Sequence, residues 1–362
     1  MIAIKIAPGG RWLFSGTQQC SLYYWDLDSE NPEPVLLAPC NGVGNTPGES
    51  NTITEIDFLV EHGDPLSRFT VACIGRDFHR EYSELGEWLF IWDVTPQENG
   101  VLKAERLRTL PLPYHGSISD FSFNHYLAAR TMAKRLDVYW WRDCTDTRLA
   151  RCTLVFETDP IIAKLYCIGS DKLLVFTGYQ LHHEARLYAL EPEYSEVDDI
   201  EKVASYATMI WSFRFSSANH GYDISRLYFD GVNYTQIIAM HDGIFNPTIP
   251  ASQADKATVV KVSDFDLPQR QCDADLYGLG FNKGYCRVGK ELYRFGYSPT
   301  ATGGSYESGV TFDSRLGYAF RGIDSFFTFD EELGRMVSKS QSHIILHDFS
   351  FPLYNYVDAC PD

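Results

Sequence analysis

Near the start of the chain, apolar and polar positions alternate in short bursts separated by turn residues. Ile4-Lys5-Ile6-Ala7 alternates, Pro8-Gly9-Gly10 interrupts it, and Trp12-Leu13-Phe14-Ser15 resumes. Gln18-Gln19 makes a second break before Leu22-Tyr23-Tyr24-Trp25-Asp26, and Pro34-Val35-Leu36-Leu37 follows a polar connection. Short runs rich in β-branched and aromatic residues, bounded by turn formers, read as antiparallel strands joined by tight turns. The stretch therefore predicts a four-stranded meander whose third strand ends in Trp-Asp.

The pattern recurs. Ile56-Asp57-Phe58 opens a second copy, which runs through Phe69-Thr70-Val71-Ala72 to Trp88-Leu89-Phe90-Ile91-Trp92-Asp93. The third has Ile118-Ser119-Asp120-Phe121, Tyr126-Leu127-Ala128-Ala129 and Leu136-Asp137-Val138-Tyr139; the fourth has Ile162-Ala163-Lys164-Leu165, Leu173-Leu174-Val175-Phe176 and Arg186-Leu187-Tyr188. A fifth is read from Ile210-Trp211-Ser212-Phe213, Arg226-Leu227-Tyr228-Phe229 and Gln236-Ile237-Ile238-Ala239-Met240. A sixth opens at Leu276-Tyr277-Gly278-Leu279, and a last one at Phe326-Phe327-Thr328-Phe329-Asp330. Such units bury their faces only by stacking on one another, which predicts an all-β protein: one β-propeller of four-stranded antiparallel blades filling residues 1–362.

Seven blades are expected, with six as the alternative. Thr311-Phe312-Asp313 and Thr328-Phe329-Asp330 both look like openings, yet they lie too close together to enclose a blade. Most intervals between openings exceed the roughly 40–45 residues of a compact blade, which places insertions at 38–51, 76–87, 191–201 and 241–257. Ring closure is expected from 351–357, or else from a segment upstream of residue 1.

Length fits this architecture. A chain of 362 residues outgrows one compact core, but each blade adds its own. No apolar run reaches the roughly 18 residues of a membrane span, and no signal peptide is evident. The nine cysteines are odd in number, scattered and without a Cys-x-x-Cys pair. They read as reduced and buried, which points to the cytoplasm or nucleus. A net charge of −17 argues against nucleic-acid and anionic-membrane partners, and a monomer is expected.

Functional motifs are scarce. There is no Walker loop, no Gly-x-Ser-x-Gly and no His-Glu-x-x-His. Topology still sorts the loops. Connections between second and third strands, and between blades, share one face, and on it fall Arg76, His79, Arg80, Lys134, Arg135, His182 and His183. The opposite face collects Asp26, Asp28, Asp93, Glu191, Glu193, Glu196 and their neighbours. The cationic loops are either solvated charges or a docking face for an acidic peptide, where arginine offers bidentate contacts. His182 and His183 are placed in a turn, as a solvated pair.

A second constellation supports a different class. Glu55, Asp57, Asp120, Asp159 and Asp273 fall in or just before first strands, which line the central channel. Converging carboxylates could hold calcium, which takes six to eight oxygens, in a lactonase-like metal-centred hydrolase or small-ligand binder. Otherwise no cofactor is expected.

Trp25-Asp26 and Trp92-Asp93 resemble the endings of WD40 repeats. The closing stretch from Phe329-Asp330-Glu331-Glu332-Leu333-Gly334 through Ile344-Ile345-Leu346-His347-Asp348-Phe349 resembles the last blade of propellers in fungal F-box proteins. The Gly-His that opens typical repeats is missing, which marks a divergent ring. The resemblance implies a protein- or peptide-binding scaffold, serving as a substrate-recognition module of a ubiquitin-ligase-type assembly.

Overall fold

The computed structural model describes residues 3–17, 20–30, 32–39, 51–60, 68–77, 87–98, 100–113, 120–132, 135–156, 161–179, 182–196, 207–215, 223–240, 243–263, 274–279, 283–288, 291–296, 311–316, 325–330, 335–339 and 344–348. Its strands form seven antiparallel sheets in chain order. Blade one is β1 (Ile4–Ile6), β2 (Trp12–Gly16), β3 (Ser21–Asp26) and β4 (Val35–Pro39). Blade two is β5 (Asn51–Val60), β6 (Phe69–Asp77), β7 (Glu87–Pro96) and β8 (Leu102–Leu112). Blade three is β9 (Asp120–Phe123), β10 (Leu127–Met132), β11 (Arg135–Trp140) and β12 (Arg148–Val155). Blade four is β13 (Ile161–Ile168), β14 (Lys172–Tyr179), β15 (His182–Leu190) and β17 (Ala207–Phe215), while β16 (Glu193–Glu196) crosses to the edge of β12 as a fifth strand of blade three. Blade five uses short pieces, β18 (Asp223–Ile224), β19 (Tyr228–Phe229), β20 (Asn233–Thr235) and β21 (Ile238–Met240), ahead of β22 (Gly243–Pro250) and β23 (Thr258–Ser263). Blade six is β24 (Ala274–Leu279), β25 (Lys283–Val288), β26 (Glu291–Gly296) and β27 (Thr311–Leu316). Blade seven contributes β28 (Ser325–Asp330), β29 (Arg335–Lys339) and β30 (Ile344–Asp348).

Stacking explains the burial pattern. A blade is covered on both faces, so an inner strand such as β2 is buried at every position instead of at alternate ones. The apolar clusters lie between blades: Phe14, Ile53, Val71 and Phe90 join blades one and two, and Leu174, Leu187, Ile238 and Ile249 join four and five. Phe14 meets Phe69 edge-on at 5.8 Å and 89°, a favoured aromatic geometry. First strands adjoin around the hub: β1 with β5, β5 with β9, β9 with β13, β18 with β24, and β24 with β28. Tyr166 Oη on β13 donates to Ser225 O, just past β18, at 2.8 Å. β28 returns to β1 and closes the circle. There Val337 packs on Ile6 and Leu13, and Arg335 Nη1 donates to Gly10 O (3.0 Å) and Asp28 Oδ1 (2.7 Å).

Three expectations are corrected. Ile210-Trp211-Ser212-Phe213 does not open blade five; it belongs to β17, the outer strand of blade four, paired with β15. Blade five instead opens at β18, so its remaining strands shift by one, and 241–257 holds the third strand β22 rather than an insertion. β22 runs unbroken through Pro247, which cannot donate to a ladder, while its neighbour on the inner side is split into β20 and β21. At the split, Ile237 N donates to Ser225 Oγ and Gln236 Nε2 to Ser225 O, both at 2.9 Å. His182 and His183 lie in strand β15, not in a turn. Of the two near copies, Thr311–Leu316 is the outer strand of blade six, and Ser325–Asp330 opens blade seven. Residues 351–357 lie outside the described residues.

One register irregularity repeats. Outer strands leave a single residue unopposed: Leu37, Leu107, Ile210, Val262 and Asp313 in blades one, two, four, five and six. First strands do the same at Thr54, Ala163, Tyr277 and Phe327. Such bulges sharpen local twist and re-aim the next side chain. In blades two and four the next side chain is Glu55 or Lys164.

Blades one and two meet at a glycine. A Cβ built on Gly16 would collide with Ile53 Cβ and Cγ2, while Ile53 N donates to Thr17 O at 3.2 Å. Gly16→Ala is expected to wedge the blades apart at a cost of about 1–3 kcal/mol, read as a lower denaturant midpoint. An unchanged midpoint would rule out this close approach.

Candidate functional site

At the hub, the first strands of blades one to four bring together Lys5, Glu55, Asp57, Asp120 and Lys164. Asp57 accepts from Lys5 Nζ at 2.5 Å and from the Phe123 backbone N–H of the next blade at 3.0 Å. Asp120 repeats the arrangement, accepting from Leu165 N at 2.6 Å and Lys164 Nζ at 3.4 Å. Each aspartate thus latches its blade to the following one through a charge-assisted bond. Burial pushes the Asp120 carboxyl above its ordinary range, against the opposing pull of Lys164. Among the described residues no hydrogen bond reaches the Glu55 carboxyl. Its burial, reinforced by the Asp120 charge, pushes it up to about 7.

These contacts bear on the calcium reading. Asp57 and Asp120 already direct their oxygens at ammonium groups and amides. Among the described residues, no group of three His, Cys, Asp or Glu is arranged to hold a metal. Asp159 and Asp273, the other two candidates, lie outside the described residues.

The second place is the face where second strands hand over to third strands. Arg76, at the end of β6, lies opposite Glu87, at the start of β7. Glu87 is fully buried and ion-paired with Arg130 of blade three, whose Nη2 also donates to Pro113 O at 2.5 Å. Arg130 approaches Asp137 at 3.5 Å; Asp137 in turn accepts from Arg135 Nε (2.8 Å) and Thr153 Oγ1 (2.7 Å). Burial pushes the Glu87 carboxyl up, against the pull of Arg130 and Arg76. Burial acts the same way on Asp137, but there Arg130 and Arg135 outweigh it and hold the carboxyl below its ordinary range. In blade four, Arg186 binds Glu184 at 2.9 Å, beside the half-buried His183.

The charges are therefore more balanced than sorting the loops implies. Inward-facing acids answer the arginines of this face. On the opposite face, Arg11 binds Asp26 (2.7 Å) and Arg68 binds Asp93 (2.7 Å). Arg76 and His183 are placed as described; for His182 only the backbone is, and His79, Arg80 and Lys134 lie outside the described residues. Sequence reasoning missed Arg130 and Glu87. A cation set within an otherwise apolar strand, with an acid at the start of a strand of the neighbouring blade, was the available signal.

Seven stacked antiparallel sheets closing on themselves define a β-propeller. No family model matches the chain, and no curated protein does either. Among solved structures, the β-propeller domain of Cps50 (Swd1) from Myceliophteria thermophila is similar at 12% identity and TM-score 0.54, covering 96% of each chain. Saccharomyces cerevisiae Sqt1 (11%, TM-score 0.47, 96% of this chain and 82% of that one) and a chain of the mitotic checkpoint complex (11%, 0.49, 95% and 88%) also match. At 12% identity the likeness to the Cps50 domain speaks for the fold alone.

Proposed function

We propose that the chain is a protein- or peptide-binding scaffold that docks an acidic segment on the face carrying Arg76 and Arg135. The carrying observation is how these guanidiniums are held. Arg76 faces Glu87 and Arg135 is clamped by Asp137, so two consecutive blades present arginines here, and that of Arg135 has little side-chain freedom left to lose on binding. His79, Arg80 and Lys134 belong to the same connections in sequence, and His182 to the equivalent one of blade four.

Charge reversal tests the reading. Partner recovery in proximity labelling of the full-length protein is expected to fall at least tenfold in the double variant Arg76→Glu, Arg80→Glu. Equal recovery from both proteins would overturn it. A role in a ubiquitin-ligase-type assembly rests on the sequence resemblance of 329–349 alone; it predicts that the labelled set includes ligase subunits.

The second reading is a metal-centred hydrolase at the hub. The Glu55 carboxyl favours it, since burial and the Asp120 charge push it up to about 7, and a strongly shifted carboxyl marks a candidate site. It predicts stoichiometric calcium by elemental analysis and a thermal midpoint that drops in EDTA.

A further inference from the structure

The outer strand of blade four is long and nearly uncharged. An outer strand ends its sheet with unpaired N–H and C=O groups, and proteins guard such edges with charge, proline or brevity. Here β8 carries Lys103, Glu105, Arg106 and Arg108, and β16 carries Glu193 and Glu196. β23 has Lys261, β27 has Asp313 and Arg315, and β4 is five residues long and ends in Pro39. β17 reads Ala-Thr-Met-Ile-Trp-Ser-Phe-Arg-Phe over nine residues, with no charge before Arg214 and no proline. It ends the order β13-β14-β15-β17, so its outer edge has no neighbouring strand among the described residues. Met209 is 52% exposed, Thr208 and Ser212 are exposed, and Trp211 and Phe213 stay half-exposed while stacking on each other at 6.4 Å. Among the described residues its guards are Arg214 near its end and the bulge at Ile210, which the outer strands of four other blades share.

We propose that β17 pairs antiparallel with β17 of a second copy of this chain, giving a two-fold dimer joined edge to edge. The strand suits itself. A two-fold axis at Trp211 places Met209 opposite Phe213 and Arg214 opposite Thr208, so apolar residues meet and no like charges face each other. This matters for a chain of net charge −17, whose copies repel over most of their surface. β17 contains no acidic residue, and the strand is its own complement. A basic partner would gain nothing at this edge, and an acidic one could use only Arg214.

Light scattering coupled to size exclusion, at roughly 1–100 µM protein, tests the pairing. The wild-type mass is expected to climb toward twice 41.2 kDa with concentration. Thr208→Arg, which sets a second cation against Arg214, is expected to hold the mass at 41.2 kDa, as is Met209→Lys. Thr208→Glu, which offers Arg214 a carboxylate, is expected to shift the midpoint to at least threefold lower concentration. Both positions are exposed, and matching circular dichroism spectra confirm that the variants fold. A wild-type mass that stays monomeric throughout overturns the proposal, and so does a dimer that Thr208→Arg and Thr208→Glu affect alike.

Discussion

Arg130→Ala is expected to cost about 3–5 kcal/mol of folding stability, the range for removing one partner of a buried ion pair. The guanidinium is 1% exposed and lies between two carboxylates, Glu87 and Asp137, both fully buried. Without it Asp137 keeps Arg135 and Thr153, but Glu87 loses its direct ion-pair partner and must either stay ionised in an apolar seam or take up a proton. The loss concentrates at the joint of blades two and three, because Arg130 also holds Pro113 O across it. Adding Glu87→Gln to Arg130→Met removes the stranded charge and is expected to recover more than half the deficit. Urea denaturation of the three proteins decides the matter. If Arg130→Ala shifts the midpoint no more than an exposed arginine does, the buried network contributes nothing.

Glu55→Gln is expected to stabilise the protein at pH 8 and leave it unchanged near pH 4. The sign follows from the direction of the shift. The folded carboxyl titrates at about 7 against 4.5 for the free group, so the folded state holds its proton more tightly. That contribution is complete below pH 4.5 and is lost as pH rises through 7. The gap corresponds to about 3 kcal/mol, reduced to roughly 2 by the solvent that still reaches the side chain. Thermal midpoints across pH 4–9 should therefore fall with rising pH more steeply for wild type than for Glu55→Gln. Parallel curves would show that Glu55 ionises freely at the hub.

Much of the fold was legible because a blade is a local object. Trp25-Asp26 closes the third strand of blade one and Trp92-Asp93 lies within that of blade two, and six of the seven expected openings fall in first strands of the seven sheets. Legibility failed at blade five, where β18 to β21 are pieces of two or three residues, too short for the alternation to register. It failed there also because the outer strand β17 is as apolar as an opening strand. The hub shows the same division. Glu55, Asp57 and Asp120 stand out as acids in first strands, yet what they do is set by groups in other blades. The Phe123 amide that Asp57 accepts lies 66 positions away, and the Leu165 amide that Asp120 accepts lies 45 positions away. Arg130 was hidden for the same reason, its answering acid being 43 positions back.

The seam between blades seven and one differs in kind from the ladders inside each blade. Among the described residues it is held by a few aliphatic side chains around Val337 and by one guanidinium reaching Gly10 and Asp28. No backbone ladder crosses it there, so high ionic strength, which screens the exposed Asp28 contact, weakens this joint more than any sheet. The disc behaves as a split washer: it can spring open at one gap while every sector stays intact.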